Sequence, residues 1–179
     1  GAFRLNEGYY YSYLAEIAAI ENNTELVIEA GRQALTQLPQ QEVLLRARVA
    51  ARVADASWRN SSYSDALAFY EMAYQQDPSI FRRLALEIPV SIIGDNSQFA
   101  NQAADLLSRS PRFNEDSNGI PLEITSNPDL SICLKSRTGS VLSCYNMATA
   151  ENQSSKWNAQ ELIRLFHSNA FGLGFDISK

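Results

Sequence analysis

A chain of 179 residues, 45% hydrophobic and 20% charged, has the make-up of an ordinary globular protein with a buried core, long enough for one sizeable domain or two small ones. A formal net charge of −5 with only three lysines, Lys135, Lys156 and Lys179, excludes a surface that coats nucleic acid, because neutralising phosphates needs clustered cations. No apolar run approaches the roughly 20 residues that cross a bilayer, so no transmembrane segment is expected.

The opening stretch GAFRLNEGYYYSY lacks the basic-then-apolar pattern of a signal peptide. A processed start at Gly1 leaves room for an export signal or a lipid anchor upstream. From Tyr9 to about Leu86 the apolar residues recur at spacings of three and four, the period of a helix. The stretch ELVIEAGRQALTQLP (25–39) repeats as DALAFYEMAYQQDP (65–78) at a displacement of 39 residues. Val27 then matches Ala66, Ala34 matches Ala73, Leu35 matches Tyr74 and Pro39 matches Pro78. Upstream of each copy lies a partner helix, YYYSYLAEIAAIEN and EVLLRARVAARVADASW, in which Leu14 and Ala15 align with Val53 and Ala54. Each unit reads as a helical hairpin.

On these residues the segment 8–80 resembles the tetratricopeptide repeat family. Ala15, Ala34 and Pro39 in the first copy, and Ala54, Ala66, Tyr70, Ala73 and Pro78 in the second, match its small, large and terminating positions. The first copy departs at Gly31, where the family prefers an aromatic. The 39-residue period exceeds the family's roughly 34, which implies a longer turn around Gln40 to Glu42. Alanine at a helix contact lets two axes approach closely, so Ala15, Ala54, Ala66 and Ala73 are read as packing devices, and Tyr70 and Tyr74 as core.

On the first helix of the second hairpin, Arg48, Arg52, Asp55 and Arg59 are spaced by four, three and four and so share one side. First helices line the concave groove in tetratricopeptide repeat proteins. The resemblance therefore implies that Tyr9, Ser12 and Glu16 face this row, and that Arg48 and Arg52 hold a peptide carboxylate or acidic side chain. The competing reading is an ordinary solvated face, the default for Glu16, Glu21, Glu25, Glu29 and Asp55.

After Leu86 the pattern changes. IPVSII (88–93), β-branched and bounded by Gly94 and Asp95, reads as a strand; NSQFANQAADLLSRS returns to helical spacing at Phe99, Ala103, Leu106 and Leu107. A third helical hairpin is ruled out by Pro89. SPRFNEDSNG reads as a polar loop and IPLEITS (120–126) as a strand, so 88–126 is a right-handed crossover if its two strands are parallel. LSICLKSRTGSVLSCYNM (130–147) reads as a β-hairpin with its turn at RTGS. In KWNAQELIRLFHSNAFG, Asn158 is the expected helix N-cap, with Glu161 completing a capping box and Trp157 and Leu162 a hydrophobic staple. This half also resembles the opening strand–helix unit of small bacterial envelope domains, such as the curli-secretion lipoprotein and the penicillin-binding-protein activator lipoproteins. That likeness covers residues 88–113.

The fold expected is therefore α+β, with helical hairpins over 1–86 and a small α+β domain over 87–179. Cys133 and Cys144 lie opposite each other whether the hairpin has a four-residue loop (137–140) or a two-residue turn at Thr138 and Gly139. They are a cross-strand disulfide or two facing thiols; a disulfide places the chain in an oxidising compartment. His167, the only histidine, shares a helix face with Ile163 and Phe171 and reads as packed. GLGF (172–175) lacks phosphate-cradling spacing and reads as a helix stop at Gly172. Asn22, Asn60 and Asn152 head Asn-x-Ser/Thr triplets, most simply by chance. The end FDISK suits an unfinished strand at Phe175 and Ile177. No catalytic residue, cofactor or metal ligand set is expected. The functional expectation is a non-enzymatic adaptor of the bacterial cell envelope, periplasmic or associated with the outer membrane, binding a protein or peptide through the helical groove. The alternative is an enzyme or small-molecule sensor with a pocket where the halves join.

Overall fold

The computed structural model describes residues 2–149 and 152–172, with side chains from residue 7 onward. The chain divides into two compact units, Gly1–Leu84 and Ala85–Lys179. The class is α+β, with the first helices preceding a five-stranded mixed sheet and its closing helix.

The first unit holds α1 (Ala2–Ile20), α2 (Thr24–Gln37), α3 (Val43–Arg59), α4 (Tyr63–Gln76) and the short α5 (Ile80–Leu84). Helices α1 and α2 pack as one hairpin, α3 and α4 as another, and α2 packs on α3 between them. The 39-residue displacement is kept at both ends of α2 and α4. It extends to the turns: Asn22 and Ser61, 39 apart, both adopt positive φ, 57° and 60°. Asn23 caps α2 by accepting from the Leu26 amide at 3.2 Å, the short side chain satisfying an N–H the helix cannot. The buried stripe of α2 is Val27, Ala30, Gly31, Ala34 and Leu35; that of α4 is Ala66, Leu67, Tyr70, Ala73 and Tyr74, so both tyrosines are core. Tyr70 packs on Phe81 of α5, their ring centroids 5.8 Å apart. Helix α5 was not anticipated as a separate element. It forms because Asp77 accepts from the Ser79 amide and hydroxyl and restarts the helix just past Pro78.

Gly31 has a steric reason. A Cβ there would lie 2.2 Å from Val53 Cγ2 and 3.5 Å from Val49 Cγ1, so α2 and α3 meet too closely for the aromatic that the family resemblance would place at 31. Gly31→Ala is expected to cost about 1–3 kcal/mol by overpacking. Val53→Ala, harmful alone, should restore part of that loss when combined with it, a coupling readable in a urea-denaturation double-mutant cycle. Strictly additive costs would mean the close approach is not at this pair. Arg46 serves the same interface: buried, it donates from Nη1 to the Leu35 and Leu38 carbonyls at 2.8 and 3.1 Å, satisfying the end of α2.

The second unit holds β1 (Ile88–Gly94), α6 (Gln98–Leu107), β2 (Phe113–Glu115), β3 (Ile120–Thr125), β4 (Leu130–Lys135), β5 (Val141–Met147) and α7 (Ser155–Ala170). The strand order is β2-β1-β3-β4-β5; β1 runs parallel to both its neighbours and the remaining pairs are antiparallel. Helices α6 and α7 pack on each other and on the sheet. Alternation sends Ile120, Leu122, Ile124, Leu130, Ile132 and Leu134 into the core. It leaves a polar row made of the Glu123–Lys135 ion pair, the Thr125–Ser131 hydroxyl pair and the cysteines.

Strand β2 corrects the expectation of a loop at SPRFNEDSNG. It has three residues and one buried side chain, Phe113, too few to show a period. From β2, on one side of β1, residues 116–119 carry the chain across to β3 on the other side. Asp116 donates its amide to the Val90 carbonyl at 2.9 Å, and Gly119 lies directly on the β1 backbone.

Two other expectations are revised. The N-cap of α7 is Ser154, which accepts from the Trp157 amide at 3.2 Å, and not Asn158, which is buried one turn inside the helix. Both residue types cap well, but starting at Ser154 adds a turn that buries Asn158 and Ala159. Glu161 pairs with Arg164 instead of closing a capping box, and Trp157 is exposed, so no staple forms there. The β4–β5 loop has three residues, Arg137 to Gly139, with Gly139 at φ +88° and Ser136 bonded to Ser140. Neither expected loop length occurs. A bulge opposite Leu134/Lys135 adds back the residue the shorter loop omits, so Cys133 still pairs with Cys144. Helix α7 stops as expected, with Gly172 at φ +83° just beyond it. The rest of GLGF, and FDISK with Phe175 and Ile177, lie outside the described residues.

Candidate functional site

Helices α1 and α3 lie side by side in the first unit, and their facing polar residues form one connected row. At one end the Tyr9 hydroxyl donates to Glu42 Oε1 at 2.6 Å, which raises the phenol's pKa by favouring its protonated form. Next, Arg52 grips Glu16 through two bonds, Nε–Oε2 at 3.1 Å and Nη2–Oε1 at 2.9 Å, the bidentate geometry guanidinium allows. Arg48 approaches the same carboxylate only to 3.8 Å. At the far end Asp55 pairs with Arg59 at 3.0 Å. Burial raises the Asp55 pKa, with Arg59 and Arg52 offsetting only part of that effect.

Six of the seven predicted residues therefore stand in this row: Tyr9, Glu16, Arg48, Arg52, Asp55 and Arg59. Ser12 does not. It is buried, and its hydroxyl donates to the Tyr9 carbonyl at 2.7 Å within its own helix. The row is also largely self-neutralised, since Arg52 and Arg59 are each committed to a carboxylate. Arg48, half exposed and in the loosest of these ion pairs, is the least tightly held guanidinium of the row.

Arg48 opens on a groove of about 350 Å³, lined by Glu42, Leu44, Leu45, Ile80, Arg83 and Leu84. Arg83 reaches it while paired with Asp77. Burial works to raise the Asp77 pKa, but bonds from Ser79 and the Arg83 charge outweigh it and hold the carboxyl below its ordinary value. The groove thus combines two guanidinium groups with exposed leucine surface. Sequence reasoning missed Leu44, Leu45, Ile80, Arg83 and Leu84. One signal was available: Leu44 lies four residues before Arg48, on its face and off the buried stripe of α3.

In the second unit His167 is buried, with the Ser110 hydroxyl 2.7 Å from Nε2 and the Gly172 carbonyl bonded to Nδ1. A carbonyl can only accept, so Nδ1 carries the proton and Nε2 accepts from Ser110. Phe113 and Phe171 pack against the ring, and Phe166 packs on both of them. Burial holds its pKa down to about 4. A serine–histidine pair is the start of a nucleophilic site, but here both groups are buried and Ser110 also accepts from the Arg112 amide at 3.1 Å. It is a satisfied polar pair inside an aromatic core. Asp95, held ionised by bonds from Ser97 and Ser126, ties the start of α6 to the β3–β4 turn.

Cys133 and Cys144 form a disulfide, with Cα atoms 4.1 Å apart, the close spacing of a non-hydrogen-bonded pair. Among the described residues no group of three or more His, Cys, Asp or Glu side chains is placed to hold a metal ion, and no helix is long and apolar enough to cross a membrane. Asn22, Asn60 and Asn152 are exposed in turns. No protein-family model, curated protein or solved structure matches the chain.

Proposed function

We propose that the chain is a non-enzymatic protein-binding adaptor that holds a peptide segment in the groove between α3 and α5, anchoring a carboxylate on Arg48 and seating an apolar side chain on Leu44 and Leu84. The observation that carries this reading is the position of Arg48. Its guanidinium is 3.8 Å from the nearest carboxylate and lines a groove whose other walls are leucine, isoleucine, a second arginine and Glu42, which is engaged by the Tyr9 hydroxyl. A peptide ending in an apolar residue presents both a carboxylate and an apolar side chain. The tetratricopeptide resemblance of residues 8–80 supports the same surface, since that family binds peptides along its first helices. The disulfide, which persists in oxidising compartments, and the likeness of 88–113 to envelope lipoprotein domains support a place in the bacterial cell envelope, periplasmic or at the outer membrane.

The test is selection from a library of random peptides displayed with free C termini, followed by solution affinities. Selected peptides should end in an apolar residue. They should lose about tenfold or more in affinity when amidated, and by a similar factor against Arg48→Glu, which keeps the helix and reverses the charge. Peptides that bind equally with and without the carboxylate, or equally to both proteins, would remove the groove from the account.

A further inference from the structure

Helix α1 carries two apolar stripes. Gly8, Ala15 and Ala18 are buried with Ser12. On the opposite side Tyr10, Tyr13, Ile17 and Ile20 are 61, 71, 52 and 75% exposed. Spacings of three, four and three are those of a seam between two helices, and a solvent-facing helix surface would ordinarily be polar.

The internal repeat says what such a face receives. Thirty-nine residues on, Tyr10, Leu14 and Ile17 correspond to Val49, Val53 and Ala56 of α3, all buried. Helix α2 lies on them: Gly31 sits over Val53 and Val49, and Val27 clusters with Ala56. At these positions a repeat unit takes a neighbouring helix. In α1 two of these positions, Tyr10 and Ile17, bear larger apolar groups open to solvent, and Leu14 is half-buried; Tyr13 and Ile20 put apolar groups where α3 carries the ion-paired Arg52 and Arg59.

The helix with the matching surface in the second hairpin would be α4. Its residues equivalent to those of α2 are Ala66, Tyr70, Ala73 and Tyr74, and all four are already buried. A second copy cannot therefore add α4 to α1 in a head-to-tail stack. It can add its own α1. Turned antiparallel about Ala15, the stripe Tyr10-Tyr13-Ile17-Ile20 meets itself with Tyr10 opposite Ile20 and Tyr13 opposite Ile17, each ring against an aliphatic side chain. A parallel pairing would oppose tyrosine to tyrosine and place Glu7 and Glu21 against their own copies; the antiparallel one moves both apart. The four side chains offer on the order of 500 Å² per chain, so about 1,000 Å² in a symmetric pair, the lower bound for a specific interface.

We propose that the chain forms a two-fold symmetric dimer in which α1 packs antiparallel on α1 of a second copy, with Tyr10, Tyr13, Ile17 and Ile20 as the seam. Because the interface is small, association is in the micromolar range. Sedimentation equilibrium of the whole chain up to about 200 µM should show a monomer–dimer equilibrium. The Tyr13→Glu/Ile17→Glu variant changes only exposed positions, so it should keep its circular dichroism spectrum and remain monomeric throughout. Orientation has its own readout: Tyr13→Cys and Ile17→Cys chains should cross-link to each other on mixing far faster than either does alone. A wild-type chain that stays monomeric at the highest concentration overturns the proposal, and would assign the face to a helix of some other protein. A dimer that survives the double glutamate variant, or cross-links faster between like cysteines, overturns it equally.

Discussion

Gly119→Ala should unfold the second unit or cost it about 4 kcal/mol or more, the largest effect expected from any single methyl group in this chain. The added Cβ would stand 2.5 Å from the Val90 amide nitrogen, 2.6 Å from the Pro89 carbonyl carbon and 2.7 Å from its oxygen. All three are backbone atoms of β1, a strand paired on both sides. A flexible side chain could rotate away; a central strand can yield only by giving up ladder bonds to β2 or β3, besides the overpacking itself, which alone costs about 1–3 kcal/mol. The damage should stay in this unit. Urea denaturation followed by tryptophan fluorescence separates the outcomes, since Trp58 lies in the first unit and Trp157 in the second. The variant should lose the Trp157 transition or shift it far down, leaving that of Trp58 in place. A loss below about 1 kcal/mol would mean that the crossing strand stands off from β1.

The second large effect is on pH. His167 is neutral in the fold, with its pKa held to about 4 by burial, against about 6.5 in an unfolded chain. Its folded pKa is the lower one, so below pH 6.5 the unfolded state takes up a proton that the folded state refuses. Stability is full above pH 6.5, falls by about 1.4 kcal/mol per pH unit beneath it, and has lost about 3 kcal/mol when the buried ring protonates near pH 4. In the second unit the window belongs to this residue, because it is the only histidine and Asp95 and Glu161, whose pKa values are lowered, contribute their losses below their own unfolded values near 4; Asp55, whose raised pKa acts in the opposite sense as pH falls, lies in the first unit. Urea midpoints of the Trp157 transition measured from pH 7.5 to 4.5 should therefore slope for the wild type and run flat for His167→Asn, which keeps an amide donor near the Gly172 carbonyl but cannot ionise. A flat wild-type profile would show that the ring is charged, or reached by water, in the folded protein.

The helical hairpins were legible because their signal is long. Two helices of 14 residues that share four of their five buried positions, 39 apart, set a period that no local choice disturbs. The α+β class and the pairing of the cysteines could likewise be read, although the hairpin reaches that pairing by a route the residues did not announce. Its shorter loop and its bulge cancel, and only a backbone shows such a cancellation. What could not be read turns on competition or brevity. Ser154 and Asn158 are both good caps, and the winner is decided by what the extra turn buries. Strand β2 and helix α5 are too short to carry a period; pairing with β1 makes the first, and the bonds around Asp77 start the second. The α3 side of the row was visible from spacing, and its α1 side, Ser12 apart, is what the family resemblance implies. The groove beside it was not, because Ile80, Arg83 and Leu84 reach it from a helix placed by the bonds around Asp77.

The bond between Cys133 and Cys144 has a consequence beyond its compartment. Among the described residues strand β5 is the outer strand of its sheet, with no ladder partner on one side of its backbone, the kind of edge on which strands of other chains can grow. Such growth is easiest when the edge can slide, and a slip of a single residue would turn Leu142 and Tyr145 from one side of the sheet to the other. A covalent tie from β5 to β4 forbids every register but one. The disulfide is thus a guard against aggregation as well as a staple, and reduction would free that edge while leaving most of the core untouched.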